Sequence, residues 1–285
     1  MKKQYFHLCT ESLKDRLLFQ KDKDYRFGMN LIPISLHNRP LTAYCFSLMS
    51  NHLHILLSGT SGEIISFFER YKKGLAMYLK QEGNPKGLTK WSAELFPVPD
   101  EEAFRKVVAY ILRNCLKAGI DSPFSYPWNT AGLYFNPWLN ALKGDSLSSL
   151  TVRQQLQMFR THVRLPQNYR IHEGLVLPSS YIDYPRVERL FGTSIDFFKQ
   201  VRNWKTEDEV EELQTGAEHS VYDDQALLNK LTQDFSDYHV SGFHEMDPVT
   251  FRRFIRMMRD KYGASRQQIR RLSGIDDATL ERYIH

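Results

Sequence analysis

Residues 44–57 read YCFSLMSNHLHILL, and at their centre His52-Leu53-His54 sets two imidazoles two residues apart inside an apolar run. In a β-strand successive side chains turn to opposite faces, so the two histidines share a face and Leu53 points into a core. Two neutral imidazoles on a rigid strand make half of a divalent-metal site, with a third ligand still to come from elsewhere in the fold. The alternative is a strand with two incidental histidines, since His-x-His is a short pattern.

Upstream, QYFHLCT at 4–10 is rich in aromatic and β-favouring residues and predicts a first strand. A polar stretch leads into a helix over 25–36, where Phe27, Leu31 and Ile34 fall at helical spacing, and His37-Asn38-Arg39-Pro40 is a turn. Downstream, SGTSG at 58–62 breaks the chain, and Ser61 is placed to N-cap a helix reaching residue 82. Residues 84–99 read as a loop ending in a short extended piece. A further helix over 101–117 starts on Asp100-Glu101-Glu102, acidic residues at its positively polarised end, and stops at Gly119. This alternation predicts an α+β sandwich with a mostly antiparallel sheet.

With 42% hydrophobic and 25% charged residues, the 285-residue chain is globular rather than disordered. The net charge of +5 is unevenly spread. Residues 1–130 hold 18 Lys/Arg against 12 Asp/Glu, 200–248 hold 3 against 12, and 251–285 hold 9 against 4. Basic ends around an acidic middle favour a nucleic-acid partner for the ends. The three scattered cysteines, Cys9, Cys45 and Cys115, exclude a disulfide framework and predict a reducing, cytoplasmic setting. No apolar run is long enough for a signal peptide or a membrane span, so no membrane partner is expected.

On the helix over 101–117, Tyr110 and Asn114 are four residues apart and share a face. A tyrosine hydroxyl is a competent nucleophile once its target is polarised, and the Asn114 carbonyl can complete a site begun by two histidines. Taken alone, the pair also fits a half-buried tyrosine beside an ordinary polar residue.

The run AYCFSLMSNHLHILLSG resembles the Met-Pro-Asn-His-hydrophobic-His strand of the HUH single-strand transposases that use one catalytic tyrosine. AYILRNCLKAGIDSPFSYPWN is similar to the block Tyr-Ile-x-x-Asn-Pro-x-Arg-Ala-Gly … Tyr-Pro-Trp-Ser-Ser of their REP-associated subfamily, and QYFHLCTESLKDRLLFQKDKDY to that family's opening strand. Three blocks in family order span residues 1–135. The resemblance implies a ferredoxin-like antiparallel sheet with helices. It also implies His52, His54 and Asn114 as ligands of Mg²⁺ or Mn²⁺, and Tyr110 as nucleophile. Its substrate would be hairpin-containing single-stranded DNA, cut to leave a 5′-phosphotyrosine and a free 3′-OH, with a homodimer as the assembly to test. Ser50 and Cys115 replace prolines of the family pattern and Lys117 an arginine, and none of these removes a group the chemistry needs. Trp91, Phe96, Tyr126 and Trp128 are aromatics on which bases can stack, and each also suits a core.

Residues 248–285 read as a helical unit: VTFRRFIRMMRDKYG, ASRQQIRRLSG and IDDATLERYIH. Ser265 and Asp276 are good N-caps, and Gly274 suits a tight turn, which together resemble a helix-turn-helix with 277–283 as recognition helix. Arg266, Arg270, Arg271 and Arg282 are placed to meet phosphates, and Thr279 or Arg282 to reach base edges. The alternative is an amphipathic tail that packs on a partner. The expected organisation is a nuclease domain over 1–137, a linker and partly acidic mixed region over 138–247, and the DNA-binding tail over 248–285. A non-catalytic DNA-binding protein, a replication-initiator nuclease and a small-molecule metalloenzyme remain alternatives.

Overall fold

Ser50 and Asn51 divide the apolar run at 44–57, and in a computed structural model of the chain that run is a hairpin rather than one strand. Short polar side chains favour turns because they satisfy nearby backbone groups. The Met49 N–H donates to the His52 carbonyl at 2.9 Å and closes the turn between β2 (Thr42–Leu48) and β3 (Leu53–Gly59). His52 therefore stands at the turn and His54 within the strand. The structure describes residues 4–10, 17–83, 87–89, 91–117, 122–138, 144–202, 224–237, 243–262, 264 and 266–284. Gly119, Ser265 and the acidic segment over 205–219 lie outside them.

The first strand, β1 (Gln4–Thr10), pairs on one side with β3 and on the other with β4 (Ala93–Val98), the short extended piece expected at the end of the 84–99 loop. The sheet order is β2-β3-β1-β4, every pair antiparallel. Between the strands run α1 (Asp22–Leu36) and α2 (Ser61–Gln81), and α3 (Glu101–Lys117) follows β4. Thr60, not Ser61, caps α2: its hydroxyl accepts from the Glu63 N–H while the Glu63 carboxylate accepts from the Thr60 N–H. That reciprocal pair needs a Glu three residues after the cap, and Thr60 has one.

Strand alternation sorts the sheet's two faces. Phe6, Leu8, Phe46, Leu48, Leu53, Ile55 and Leu57 join the core that holds Leu31 and Ile32 of α1 and Phe67, Phe68 and Tyr71 of α2. Trp91 is 1% exposed in this same core and so is not a base-stacking platform. The α1–α2 layer also buries Asp24, whose Oδ1 accepts from the Tyr78 hydroxyl at 2.7 Å and whose Oδ2 accepts from the Gln20 and Lys21 N–H groups. Removing a donor from a buried carboxylate leaves it under-satisfied. Tyr78→Phe is therefore expected to lower stability by about 1–3 kcal/mol in urea unfolding.

The packing does not divide at residue 137. Leu147, Phe159, Leu165, Ile171, Val176 and Ile182 enter the core already described, and the Asn30 side chain of α1 bonds the Gly174 carbonyl and the Val176 N–H, each at 2.8 Å. These apolar residues are spaced without helical or strand period, so the stretch reads as linker and mixed region, yet each joins the same core. It forms a small sheet of β5 (Asp145–Ser146), β6 (Arg170–His172) and β7 (Leu175–Val176). It also supplies α4 (Val152–Phe159), α5 (Tyr184–Phe191) and α6 (Ser194–Arg202). The chain divides instead into Met1–Thr206 and Glu207–His285.

In the second unit, α7 (Asp224–Asp237), α8 (Pro248–Asp260), α9 (Arg266–Ser273) and α10 (Asp277–Ile284) share a core of Leu227, Leu231, Phe235, Phe254, Ile255, Met258, Ile269 and Leu280. The helical tail is thus completed by α7, from the region expected to be linker. Gly274 has φ +76°, a left-handed conformation that glycine adopts without a Cβ clash, and the Asp276 carboxylate accepts the Thr279 N–H at 2.7 Å to start α10. Among the described residues no helix is long and apolar enough to cross a membrane.

Candidate active site

The face of the sheet opposite α1 and α2 carries His7 and Cys9 of β1 and His54 of β3, and α3 lies over it. Three contacts fix the direction of α3. Near its start Phe104 packs edge-on against Tyr5 and Tyr44, with ring centroids 5.2 Å from each. Two turns later Tyr110 lies edge-on to His54 at 5.7 Å and to His7 at 5.8 Å. Near its end Cys115 packs with Met49, close in sequence to His52. Asn114, one turn beyond Tyr110, is carried toward that end.

The two predicted histidines keep company despite lying on different kinds of structure: the His52 and His54 rings are 5.0 Å apart and nearly perpendicular, at 85°. Each has its Nδ1 engaged. His52 Nδ1 lies 2.6 Å from Asn51 Oδ1, and His54 Nδ1 lies 3.0 Å from His7 Nε2. An amide oxygen only accepts, so His52 donates from Nδ1 and its Nε2 keeps the lone pair. Cys9 Sγ lies 3.9 Å from His54 Nε2.

Tyr110 is 8% and Asn114 5% exposed, and among the described residues the buried Asn114 Nδ2 has no hydrogen-bond partner. Nδ2 is a donor, so what this buried amide lacks is an acceptor, while its Oδ1 is the atom that a cation would meet. Among the described residues no three His, Cys, Asp or Glu side chains are placed to hold a metal. His52, His54 and Asn114 Oδ1 offer two imidazole nitrogens and one amide oxygen, a donor set whose chemistry fits a divalent ion.

His7, not singled out as a site residue, is fully buried against this cluster, and desolvation pushes its pKa down from 6.5 to about 3. Its only sequence signal was position: it shares a face of β1 with Cys9, which pairs in register with His54. Between pH 6.5 and 3 the unfolded chain binds a proton at this residue that the folded chain refuses. Stability is therefore lost as pH falls through that window, at up to about 1.4 kcal/mol per pH unit. Urea unfolding in EDTA at pH 7 and pH 4.5 is expected to show a steeper loss for the wild type than for His7→Phe.

The Tyr-Pro-Trp-Asn block at 126–129 is structural. The Tyr126 hydroxyl donates to the Leu48 carbonyl at 2.7 Å, and the Leu48 N–H donates to the Trp128 carbonyl at 2.9 Å. Asn129 bonds the Pro123 carbonyl at 2.9 Å and the Ala131 N–H at 2.8 Å. These bonds cover the edge of β2 and tie the segment after α3 to the sheet. Tyr126 is buried with Met49 and Cys115, and Trp128 stacks on Tyr25 at 5.0 Å. Phe96 is part-buried, 6.0 Å from the His7 ring.

In the second unit Arg282 is exposed and its Nη2 donates to Thr279 Oγ1 at 3.3 Å, while Arg270 is part-buried. The side chains of Arg266 and Arg271 lie outside those described. Arg252, Arg253 and Arg256 of α8 are exposed basic residues that the tail's motif did not single out. Arg252 Nη2 and Arg256 Nε donate to the Arg282 and Tyr283 carbonyls, at 3.4 and 3.0 Å, near the end of α10.

No family model matches the chain, and no curated protein matches it. Among solved structures it is similar to a REP-associated tyrosine transposase bound to a REP hairpin, at 14% identity and a TM-score of 0.38, over 60% of this chain and 93% of that one. At that distance the likeness decides nothing about chemistry.

Proposed function

We propose that the protein is a metal-dependent single-stranded DNA endonuclease and strand transferase, a transposase of the HUH single-tyrosine class acting on hairpin-containing DNA. The observation that carries this reading is the seating of Tyr110 edge-on against His54 and His7, at 5.7 and 5.8 Å, on the face where His52 also gathers. The strand and helix order, with the sheet order β2-β3-β1-β4, supports a ferredoxin-like sheet as its scaffold.

His52, His54 and Asn114 would hold Mg²⁺ or Mn²⁺, which when bound supplies Lewis-acid polarisation of the scissile phosphate. Tyr110 Oη attacks phosphorus, and its proton is lost as the new P–O bond forms. The bond from phosphorus to the 3′ oxygen breaks, and that oxygen leaves with a proton as a 3′-OH. The 5′ phosphate stays on Tyr110, and attack by another 3′-OH reverses the step and joins strands without ATP. The exposed Arg252, Arg253, Arg256 and Arg282 of the second unit suit phosphate contacts.

The test uses the full chain, end-labelled single-stranded DNA carrying a hairpin, and Mn²⁺. The expected products are a fragment ending in a 3′-OH and a second fragment that migrates with protein on a denaturing gel. Two free fragments with no protein-linked species would contradict the tyrosine mechanism.

A further inference from the structure

We propose that His7 is a positioning residue: its Nε2 accepts the Nδ1–H of His54 and holds His54 in the tautomer whose Nε2 carries the lone pair. The 3.0 Å contact between the two rings stands on its own; the choice of His54 as donor rests on the reading of His54 as a metal ligand.

The His7 Nε2 to His54 Nδ1 distance is 3.0 Å, and the two rings are stacked at 27° with centroids 5.2 Å apart. His7 is held from both sides, because β1 is a central strand in which it pairs with Leu56 of β3 and Phe96 of β4. A neutral imidazole has one N–H and one lone pair, so a single bond between two rings fixes the tautomer of both. Donation by His54 leaves the lone pair on its Nε2, the nitrogen a metal would meet. Donation by His7 would instead put a proton on His54 Nε2 and remove that nitrogen from metal chemistry. His52 shows the same device, with Asn51 Oδ1 as the acceptor at 2.6 Å. Each histidine thus has an acceptor behind Nδ1, the arrangement by which ligating histidines are oriented and made more basic.

The tautomer can be read without a variant. In ¹H–¹⁵N spectra of the metal-free full chain labelled at histidine, His54 is expected to carry its proton on Nδ1 with Nε2 bare; a proton on Nε2 overturns the proposal. In His7→Phe that preference is expected to disappear and Mn²⁺ affinity to fall about 10- to 100-fold, while His7→Gln, which keeps an acceptor, recovers most of it. Unchanged Mn²⁺ affinity in folded His7→Phe overturns the proposal. A wild-type chain that shows the expected tautomer yet binds no Mn²⁺ supports the hold of His7 on His54 and contradicts the metal reading instead.

Discussion

Tyr110→Phe is expected to abolish the covalent protein–DNA species, reducing cleavage by at least about 10³-fold, the scale of losing a nucleophile. The substitution removes one oxygen and keeps the ring that lies edge-on to His54 and His7. Packing and hairpin binding should therefore stay close to wild type, and circular dichroism with a DNA-binding titration checks both. Loss of adduct with retained binding separates chemistry from recognition. A non-catalytic DNA-binding protein would have no adduct to lose.

His54→Ala is expected to cost about 10²- to 10³-fold in cleavage, comparable with removing a preorganised electrostatic group. EDTA should produce a similar loss in the wild type, reversible with Mn²⁺. The effect at His54 should exceed that at His52, for a structural reason. His54 lies in β3, is 3% exposed and is backed by His7, whereas His52 stands at the hairpin turn and is backed by the neighbouring Asn51. Turn residues reposition more easily than residues in a central strand. The measurement is single-turnover cleavage by the two alanine variants, with Mn²⁺ affinity determined alongside.

Much of this site was legible in the sequence because its signals are local. The bounds of β1 and α3 follow from patterning, and the four-residue spacing of Tyr110 and Asn114 puts them on one helical face. The His-x-His pattern correctly sent Leu53 to the core. It did not show that the strand begins after His52, because the Ser50-Asn51 turn interrupts an otherwise apolar run. His7 escaped notice because its partner is 47 residues away, and only the antiparallel register of β1 with β3 joins them. The same holds for residues 144–202, whose isolated apolar side chains have no period of their own and become core only against α1, α2 and the sheet. Asn30 shows why: its two bonds to Gly174 and Val176 cross more than a hundred residues. Tyr126 and Trp91 read as core more readily than as stacking platforms, and their burial bears out core.

The central claim is that Tyr110 takes the DNA, and mass spectrometry of the trapped adduct tests it most directly. Trypsin cleavage after Lys106 and Arg113 releases VVAYILR, in which Tyr110 carries the sole hydroxyl side chain. After nuclease trimming, that peptide is expected to carry the added mass of a 5′-linked nucleotide. The same mass found on a peptide without Tyr110 would contradict the account.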